Sequence, residues 1–123
     1  MSIADIHGRL AITALLFSIG MGLWGFLRYF RKQEVESSYF GGLVIGEFIF
    51  LAQATMGMYL FLSTTGELER PSVHILYGTI TLLTLPAVYV YTRGDESRRT
   101  MLLYSAAFLF LIGITFRSMA TGG

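Results

Sequence analysis

Four long apolar segments constrain the fold of this chain more than any other feature of its sequence. The segments cover residues 10–27, 41–62, 75–91 and 101–116. Each is close to the length of about 20 residues that an α-helix needs to cross roughly 30 Å of hydrocarbon. The loops between them are short. The sequence therefore predicts an all-α membrane protein, a bundle of four transmembrane helices in contact with the lipid bilayer.

The composition agrees with that fold class. Hydrophobic residues make up 54% of the 123 residues, and the mean hydropathy is +0.61. Such values suit a bundle whose outer surface faces lipid rather than water. We expect one domain over residues 1–123, because the loops leave no room for an extramembrane domain. The predicted helices lie at about 8–30, 40–62, 72–92 and 99–119.

The two halves of the chain are similar to each other, which indicates two duplicated helical hairpins. Residues 7–16 align without gaps with residues 74–83, and residues 50–56 align with residues 110–116. Identities between apolar segments arise easily by chance, so duplication and coincidence both stay open. The predicted four-helix topology does not depend on the choice.

Basic residues near the helix ends predict the orientation in the membrane. Cytoplasmic loops carry an excess of lysine and arginine. The first and third loops hold six basic residues and the opposite side holds three, namely Arg28, Arg31, Lys32, Arg93, Arg98 and Arg99 against Arg9, Arg70 and Arg117. We therefore expect both termini on the outer side of a bacterial inner membrane. The net charge of +1 argues against nucleic acid as a partner.

Residues at the helix ends predict where the segments start and turn. Asp5 is expected to cap the first helix, and Pro71 is expected to start the third. The pair Gly94 and Asp95 reads as a turn. The first nine residues lack a basic region ahead of an apolar core, so a removable signal peptide is not expected.

Small residues lie along one face of each predicted helix. Membrane helices pack through small residues, because these let the backbones approach closely. The faces, in chain order, are His7, Ala11, Ala14, Ser18, Gly22 and Gly25; Gly42, Gly46, Gln53 and Gly57; His74, Gly78 and Thr81; Ala106, Gly113 and Arg117. We expect these faces to point into the bundle. A small face is also ordinary for any membrane bundle, so by itself it indicates packing rather than a site.

The chain contains only two histidines, His7 and His74, and each lies at the entrance of an odd-numbered helix. Helices one and three cross the membrane in the same direction, so both imidazoles are expected at the same depth on the same side. Neutral imidazole is a good axial ligand for haem iron. The pair therefore predicts one b-type haem near the outer face. The chain has no cysteine, which excludes thiolate ligands.

Other residues fit the same hypothesis. A porphyrin is a broad slab, so the residues one turn beyond the ligands must be small, as Ala11 and Gly78 are. The anionic propionates of haem would pair with arginines at the same level, for which the candidates are Arg9, Arg70 and Arg117. Tyr77 or Gln53 is a candidate for a hydrogen bond that orients a ligand. The alternatives are two independent interfacial histidines, or a single ligand to haem or chlorophyll.

The helix count, the paired histidines His7 and His74 and the arginines on the same side resemble small four-helix membrane cytochromes of the b type. In that family two histidines from different helices hold one haem, and the proteins pass electrons between quinols and other carriers or anchor larger redox complexes. The resemblance implies an electron-transfer subunit of a larger redox complex, more an electron carrier than a stand-alone enzyme. Members with two haems use four histidines, so at most one such site is implied here.

Glu47 is the second unusual residue, because it lies well inside the second apolar segment. An ionised carboxylate there costs on the order of 2.5–3.5 kcal/mol on insertion scales. Its functional interpretations are proton uptake beside a quinone, or a cation site. Its structural interpretations are a protonated carboxyl bonded to a neighbouring helix, or an ion pair with Arg28.

Two further functions stay open. Small multidrug exporters are similar in length and helix count and depend on one membrane glutamate, which here would be Glu47, although that family carries it in the first helix. A non-catalytic accessory subunit of a respiratory or photosynthetic assembly is the other alternative. Its partners would be other membrane subunits or further copies of this chain.

Overall fold

The computed structural model describes residues 2–63 and 71–121. They form four α-helices, α1 (Ile3–Phe30), α2 (Ser37–Ser63), α3 (Pro71–Thr92) and α4 (Arg98–Thr121). All four helices are long and apolar enough to span a membrane. The predicted all-α, four-helix architecture is therefore confirmed, with no strand among the described residues.

The helices are arranged as a square in chain order. Contacts join α1 with α2, α2 with α3, α3 with α4, and α4 with α1, and the α1–α4 contact is the most extensive. The backbones of the two diagonal pairs stay apart within the described residues. Helices α1 and α3 are thus diagonal neighbours that run in the same direction, and only side chains can join them across the bundle axis.

Helix α1 begins five residues earlier than the sequence predicted. Its N-cap is Ser2, whose hydroxyl accepts a hydrogen bond from the backbone N–H of Asp5 at 3.2 Å. The carboxylate of Asp5 accepts in return from the backbone N–H of Ser2. The expectation that Asp5 itself caps the helix is therefore wrong. It is the third residue of a capping box, and the extra turn places His7 inside the helix.

The interface between α1 and α4 pairs small residues with large ones. Ser18, Gly22 and Gly25 of α1 are buried, as the predicted small face requires. A Cβ atom added to Gly22 would lie 3.4 Å from the Cβ of Phe108 on α4. The small residues of α1 let the two helices approach closely and leave room for the large side chains of α4.

The predicted packing face of α4 is wrong. Ala106, Gly113 and Arg117 are all exposed. The buried face carries mostly large side chains instead, namely Met101, Tyr104, Phe108, Leu111 and Ile114, together with the small Ser105 and Ala107. The physical reason is complementarity. Helix α1 already supplies the small residues at this interface, so its partner has to supply volume.

The two short loops join each other at one end of the bundle, which we call the loop end (residues 28–40 and 92–105). The backbone N–H of Val35 donates to the carbonyl of Glu96 at 2.9 Å. Arg98 donates from Nε to the carbonyl of Tyr29 at 2.8 Å, and its guanidinium carbon lies 4.1 Å from the centre of the Tyr29 ring. These bonds tie the first loop to the third.

The predicted Gly94–Asp95 turn is present between α3 and α4. Gly94 has a φ of +73°, in the left-handed region that favours glycine. Asp95 accepts hydrogen bonds from the hydroxyls of Ser97 and Thr100, the latter at 2.7 Å. The carboxylate thus satisfies donors at the start of α4.

Candidate functional site

The two histidines converge on the bundle axis at the end opposite the loops. The ring centres of His7 and His74 lie 6.4 Å apart, and the ring planes are at 74°. Both side chains are half-buried. Because α1 and α3 are diagonal in the square, their meeting point is the centre of the bundle rather than a contact between adjacent helices.

The ring of His74 is tied to the last turn of α4. Its Nδ1 lies 3.0 Å from the carbonyl oxygen of Ser118 and 3.4 Å from the hydroxyl of the same residue. A carbonyl only accepts, so Nδ1 of His74 carries the proton and donates. The last four carbonyls of a helix have no partner within that helix, which explains why one is available here.

The ring of His7 is held by α2 in a different way. Gln53 donates from its side-chain nitrogen to the backbone carbonyl of His7 at 2.8 Å. The ring itself packs on Gly57, where an added Cβ would lie 3.1 Å from Cε1 of His7. Nδ1 of His7 is buried and has no hydrogen-bond partner within residues 2–63 and 71–121.

Five residues from all four helices therefore form one cluster, which we call the histidine end: His7, Gln53, Gly57, His74 and Ser118. The two imidazoles are its only metal-ligating side chains. Among the described residues, no group of three or more His, Cys, Asp or Glu side chains could hold a metal ion. A bare ion would thus receive two ligands, fewer than the four that zinc takes in structural sites.

A planar cofactor that supplies its own equatorial ligands needs only the two axial ones. A metal bound by both imidazoles at ~2.0–2.1 Å from each nitrogen would place the ring centres about 6 Å apart. The observed 6.4 Å separation fits that requirement. Two imidazoles with this separation are what haem would need from the chain as ligands.

The small residues predicted beside the ligands are also at the histidine end. Ala11 and Gly78, four residues after His7 and His74, are both half-buried. No atom lies within 4 Å of a Cβ added to Gly78, so there is open space at this position. Tyr77 is half-buried and packs against the hydrophobic core. No hydrogen bond of its hydroxyl occurs in the described part of the chain, and the side chain of Gln53 bonds the backbone carbonyl of His7 and not its ring.

The predicted propionate partners are not part of the cluster. Arg9 and Arg117 are exposed on α1 and α4, and no ion pair involves them among residues 2–63 and 71–121. Arg117 directly precedes Ser118, so it lies at the level of the histidines. Arg70 lies outside the described residues.

Glu47 lies apart from the histidines, and its predicted ion pair with Arg28 is wrong. Arg28 pairs with Glu36 at 3.3 Å and donates to the carbonyl of Glu34. Glu47 is ten residues beyond the start of α2, about 15 Å along the helix, which puts it out of reach of the loop end. One of its carboxyl oxygens is buried without a hydrogen-bond partner in the described part of the chain.

Two members of the cluster were missed as site residues. Ser118 contributes a backbone carbonyl, which no side-chain pattern reveals, although carbonyls in the last turn of a helix have no partner within that helix. Gly57 appears in the sequence only as one of several small residues. Its role depends on the position of the His7 ring, which only the structure gives.

No protein-family model, curated protein or solved structure matches this chain.

Proposed function

We propose that this chain is a membrane-embedded, b-type haem-binding electron-transfer subunit with His7 and His74 as axial ligands. The observation that carries the proposal is the convergence of the only two histidines of the chain, from diagonal helices, with ring centres 6.4 Å apart. Haem iron changes between its ferrous and ferric states and so carries one electron. The chain supplies the ligands, their orientation and an apolar enclosure.

Each residue of the histidine end has a defined task in this proposal. The hydrogen bond from Nδ1 of His74 to Ser118 fixes the orientation of the His74 ring. Gln53 holds the backbone of His7, and Gly57 leaves room for its ring. Gly78 leaves space beside the ligands where a flat macrocycle would lie.

The proposal extends to the setting of the protein. We infer that both termini lie on the outer side of a bacterial inner membrane, which puts the haem near the outer face. The excess of basic residues in the first and third loops supports this orientation. Side chains on α2 and α3 such as Phe48, Leu62 and Val90 are exposed, and lipid or other subunits of a redox complex would cover them. Chlorophyll, an alternative tetrapyrrole, needs one axial ligand, so a pair of converging imidazoles favours haem.

Optical spectroscopy tests the proposal directly. Protein purified from a haem-replete host should show a Soret band and, after reduction with dithionite, the sharp visible bands of a six-coordinate haem. His7→Ala and His74→Ala should each lose that reduced spectrum. Leu16→Ala, which changes an exposed residue of the same helix outside the proposed site, is the matched control and should retain it.

The outcome against the proposal is equally clear. Folded wild-type protein that shows no Soret band, and acquires none when titrated with hemin, would refute haem binding. Co-purification with larger membrane subunits in that case would support the accessory role instead.

Glu47 supports a second candidate function, a small proton-coupled exporter. A carboxyl with a buried oxygen and no partner among the described residues is what a proton-binding site in a membrane requires. If this function holds, cells that express the protein should remove a cationic dye in a pH-dependent manner, and Glu47→Gln should abolish that efflux. Equal efflux by the wild type and Glu47→Gln would contradict the exporter and leave the haem proposal unaffected. A quinone that delivers electrons beside Glu47 would instead give a Glu47→Gln protein with normal haem and slow quinol-dependent reduction.

A further inference from the structure

An open cleft lies at the loop end, between the end of α3 and the start of α4. Its volume is about 460 Å³, which is within the range of roughly 300–1,000 Å³ that is typical of ligand sites. Tyr91, Asp95, Arg99 and Leu103 are among the side chains that line it. The cleft lies at the opposite end of the bundle from the histidines, so the proposed haem function does not use it.

The cleft contains hydrogen-bond donors that the fold does not use. Arg99 and Tyr91 are exposed, and neither the guanidinium nor the phenol makes a hydrogen bond or an ion pair in the described part of the chain. The neighbouring Arg98, in contrast, is bonded to the carbonyl of Tyr29. A guanidinium can donate two parallel hydrogen bonds to phosphate oxygens. These two donors therefore suit a phosphate group.

The same cleft contains an acceptor for a cation. Asp95 accepts hydrogen bonds from the backbone N–H of Ser97 at 3.1 Å and from the hydroxyls of Ser97 and Thr100, and all three reach Oδ2. Its other oxygen, Oδ1, accepts no bond from residues 2–63 or 71–121. The charge of Arg99 acts on Asp95, although no ion pair joins the two residues. A ligand with one anionic and one cationic group would thus find a partner for each.

The cleft lies at the headgroup level of a membrane that α4 spans. Arg99 and Arg117 are exposed on the same face of α4, separated by about five turns, or ~27 Å. This distance is close to the thickness of the hydrocarbon core, which is roughly 30 Å. The two arginines therefore reach opposite membrane surfaces, and Arg99 marks the surface at the loop end.

A shallow groove runs along α4 from the cleft towards the middle of the membrane. Its floor is formed by Ala106 and Gly113, which were expected to face the bundle interior and are exposed instead. The large exposed side chains of Leu109 and Phe110 lie on either side of it. No atom lies within 4 Å of a Cβ added to Gly113, so the groove has room for an acyl chain.

We propose that the cleft binds a membrane phospholipid whose headgroup carries a phosphate and a primary ammonium, namely phosphatidylethanolamine. The phosphate binds Arg99 and Tyr91, the ammonium donates to Oδ1 of Asp95, and one acyl chain lies in the α4 groove. The quaternary ammonium of phosphatidylcholine has no N–H to donate, and phosphatidylglycerol brings no cation to Asp95. The site is independent of haem binding.

Native mass spectrometry of detergent-purified, delipidated protein, titrated with lipids of identical acyl chains, tests the headgroup. We expect phosphatidylethanolamine to bind at least about tenfold more tightly than phosphatidylcholine or phosphatidylglycerol, because each of these loses a hydrogen bond to a charged group. Glycerophosphoethanolamine, the same headgroup without acyl chains, should bind more weakly than the lipid. Equal affinity of the two would show that the cleft takes a soluble phosphate compound.

A pair of arginine variants tests the cleft itself. Arg99→Gln removes the proposed phosphate partner and should lower the affinity for phosphatidylethanolamine about tenfold. Arg93→Gln removes the same charge from an exposed residue nearby that does not line the cleft, so its affinity should be unchanged. Asp95→Asn should abolish the preference for phosphatidylethanolamine over phosphatidylcholine, a ratio that a change in stability does not affect.

A pair of glycine variants tests the groove. Gly113→Leu fills it, whereas Gly20→Leu adds the same side chain to an exposed, open position on α1. We expect a loss of phosphatidylethanolamine affinity in Gly113→Leu and none in Gly20→Leu.

Three results would overturn the lipid site. They are equal affinities for the three lipids, equal effects of Arg93→Gln and Arg99→Gln, and equal effects of the two glycine variants. All the substituted positions are exposed, so the variants should fold, and circular dichroism checks this. None of these results bears on haem binding, so the failure of one proposal leaves the other standing.

Discussion

The loop end and the histidine end of the bundle differ in how tightly they are built. At the loop end Tyr39 and Met101 are 0% exposed and Thr100 is 2% exposed, and hydrogen bonds join the two loops. At the histidine end both imidazoles are half-buried. The residues that hold the helices together are therefore separate from those that could carry chemistry.

Helix α3 shows the same separation along its length. Leu85 is its only buried residue among those described, and it lies in the half of the helix nearer the loop end. The half that carries His74 has no fully buried residue among those described, and it contacts its neighbours through the His74–Ser118 hydrogen bond and through partly buried side chains such as Tyr77 and Ile80. Sparse packing around a site costs stability, but it leaves space for a bound group and lets the ligands adjust.

The largest effect should come from Gly25→Ala, because Gly25 packs against Tyr39, Met101 and Ser105 of the loop end. The added Cβ would collide with the hydroxyl of Ser105, and it would lie 2.7 Å from the hydroxyl of Tyr39 and 3.2 Å from Cε of Met101. Overpacking of this kind costs about 1–3 kcal/mol. We expect the free energy of unfolding, measured with SDS in mixed micelles, to fall by that amount.

Gly20→Ala is the matched control on the same helix. No atom lies within 4 Å of its added Cβ, so its unfolding curve should coincide with that of the wild type or shift slightly towards higher stability. Equal stability of the two variants would show that the packing around Gly25 is looser than these distances indicate.

An intermediate effect, on haem affinity, is expected from Gly78→Ala at the histidine end. The structure leaves open space around the added Cβ, so the stability of the protein should not fall. If the macrocycle lies against Gly78, the added methyl group occupies space that the macrocycle needs. Haem affinity should then fall about tenfold, or ~1.4 kcal/mol. Hemin titration measures the haem affinity. Thermal unfolding in detergent measures the stability. A stable variant with unchanged haem affinity would place the cofactor elsewhere.

The smallest effect is expected from acid at the turn before α4. Hydrogen bonds from the hydroxyls of Ser97 and Thr100 hold the pKa of Asp95 below its ordinary value of 3.8. A carboxyl whose pKa is lowered by folding stabilises the protein above its unfolded pKa. This stabilisation is lost as the pH falls below 3.8 and through the folded pKa. The wild type should therefore be slightly more stable than Asp95→Asn at pH 6.

Thermal unfolding of both proteins at pH 6 and near pH 3 checks this prediction. The difference in midpoint temperature between the wild type and Asp95→Asn should shrink at the lower pH. A constant difference would mean that Asp95 acts at the turn through its shape and not its charge.

Much of the fold could be predicted because bilayer thickness fixes helix length. The lengths of the apolar segments led to four helices, and all four are present. The end of α1 nearest His7 was placed five residues too late, since the capping box at Ser2 and Asp5 lies ahead of the apolar run that was used to find the helix. The packing face of α4 was predicted from its small residues. This prediction was wrong because the packing of α4 depends on the volume that the small residues of α1 leave open.

The candidate site was predictable in its ligands but not in the contacts that hold them. His7 and His74 stand at equivalent places of similar segments, and that similarity suggested equal roles. Their different partners, Gly57 for one ring and the Ser118 carbonyl for the other, come from α2 and α4. The sequence positions of those helices say nothing about which ring each one reaches.

The sequence by itself determined the fold class and the pairing of the two histidines at one end, because hydropathy and the direction of each crossing depend only on the order of residues along the chain. The tertiary structure decided which side chains fill the core, that Arg28 bonds Glu36 and not Glu47, and how each imidazole is held. These features depend on the rotation and axial offset of each helix against its neighbours. The rotation and the offset are set in turn by complementary side-chain volumes and by backbone groups that bond from one helix to another.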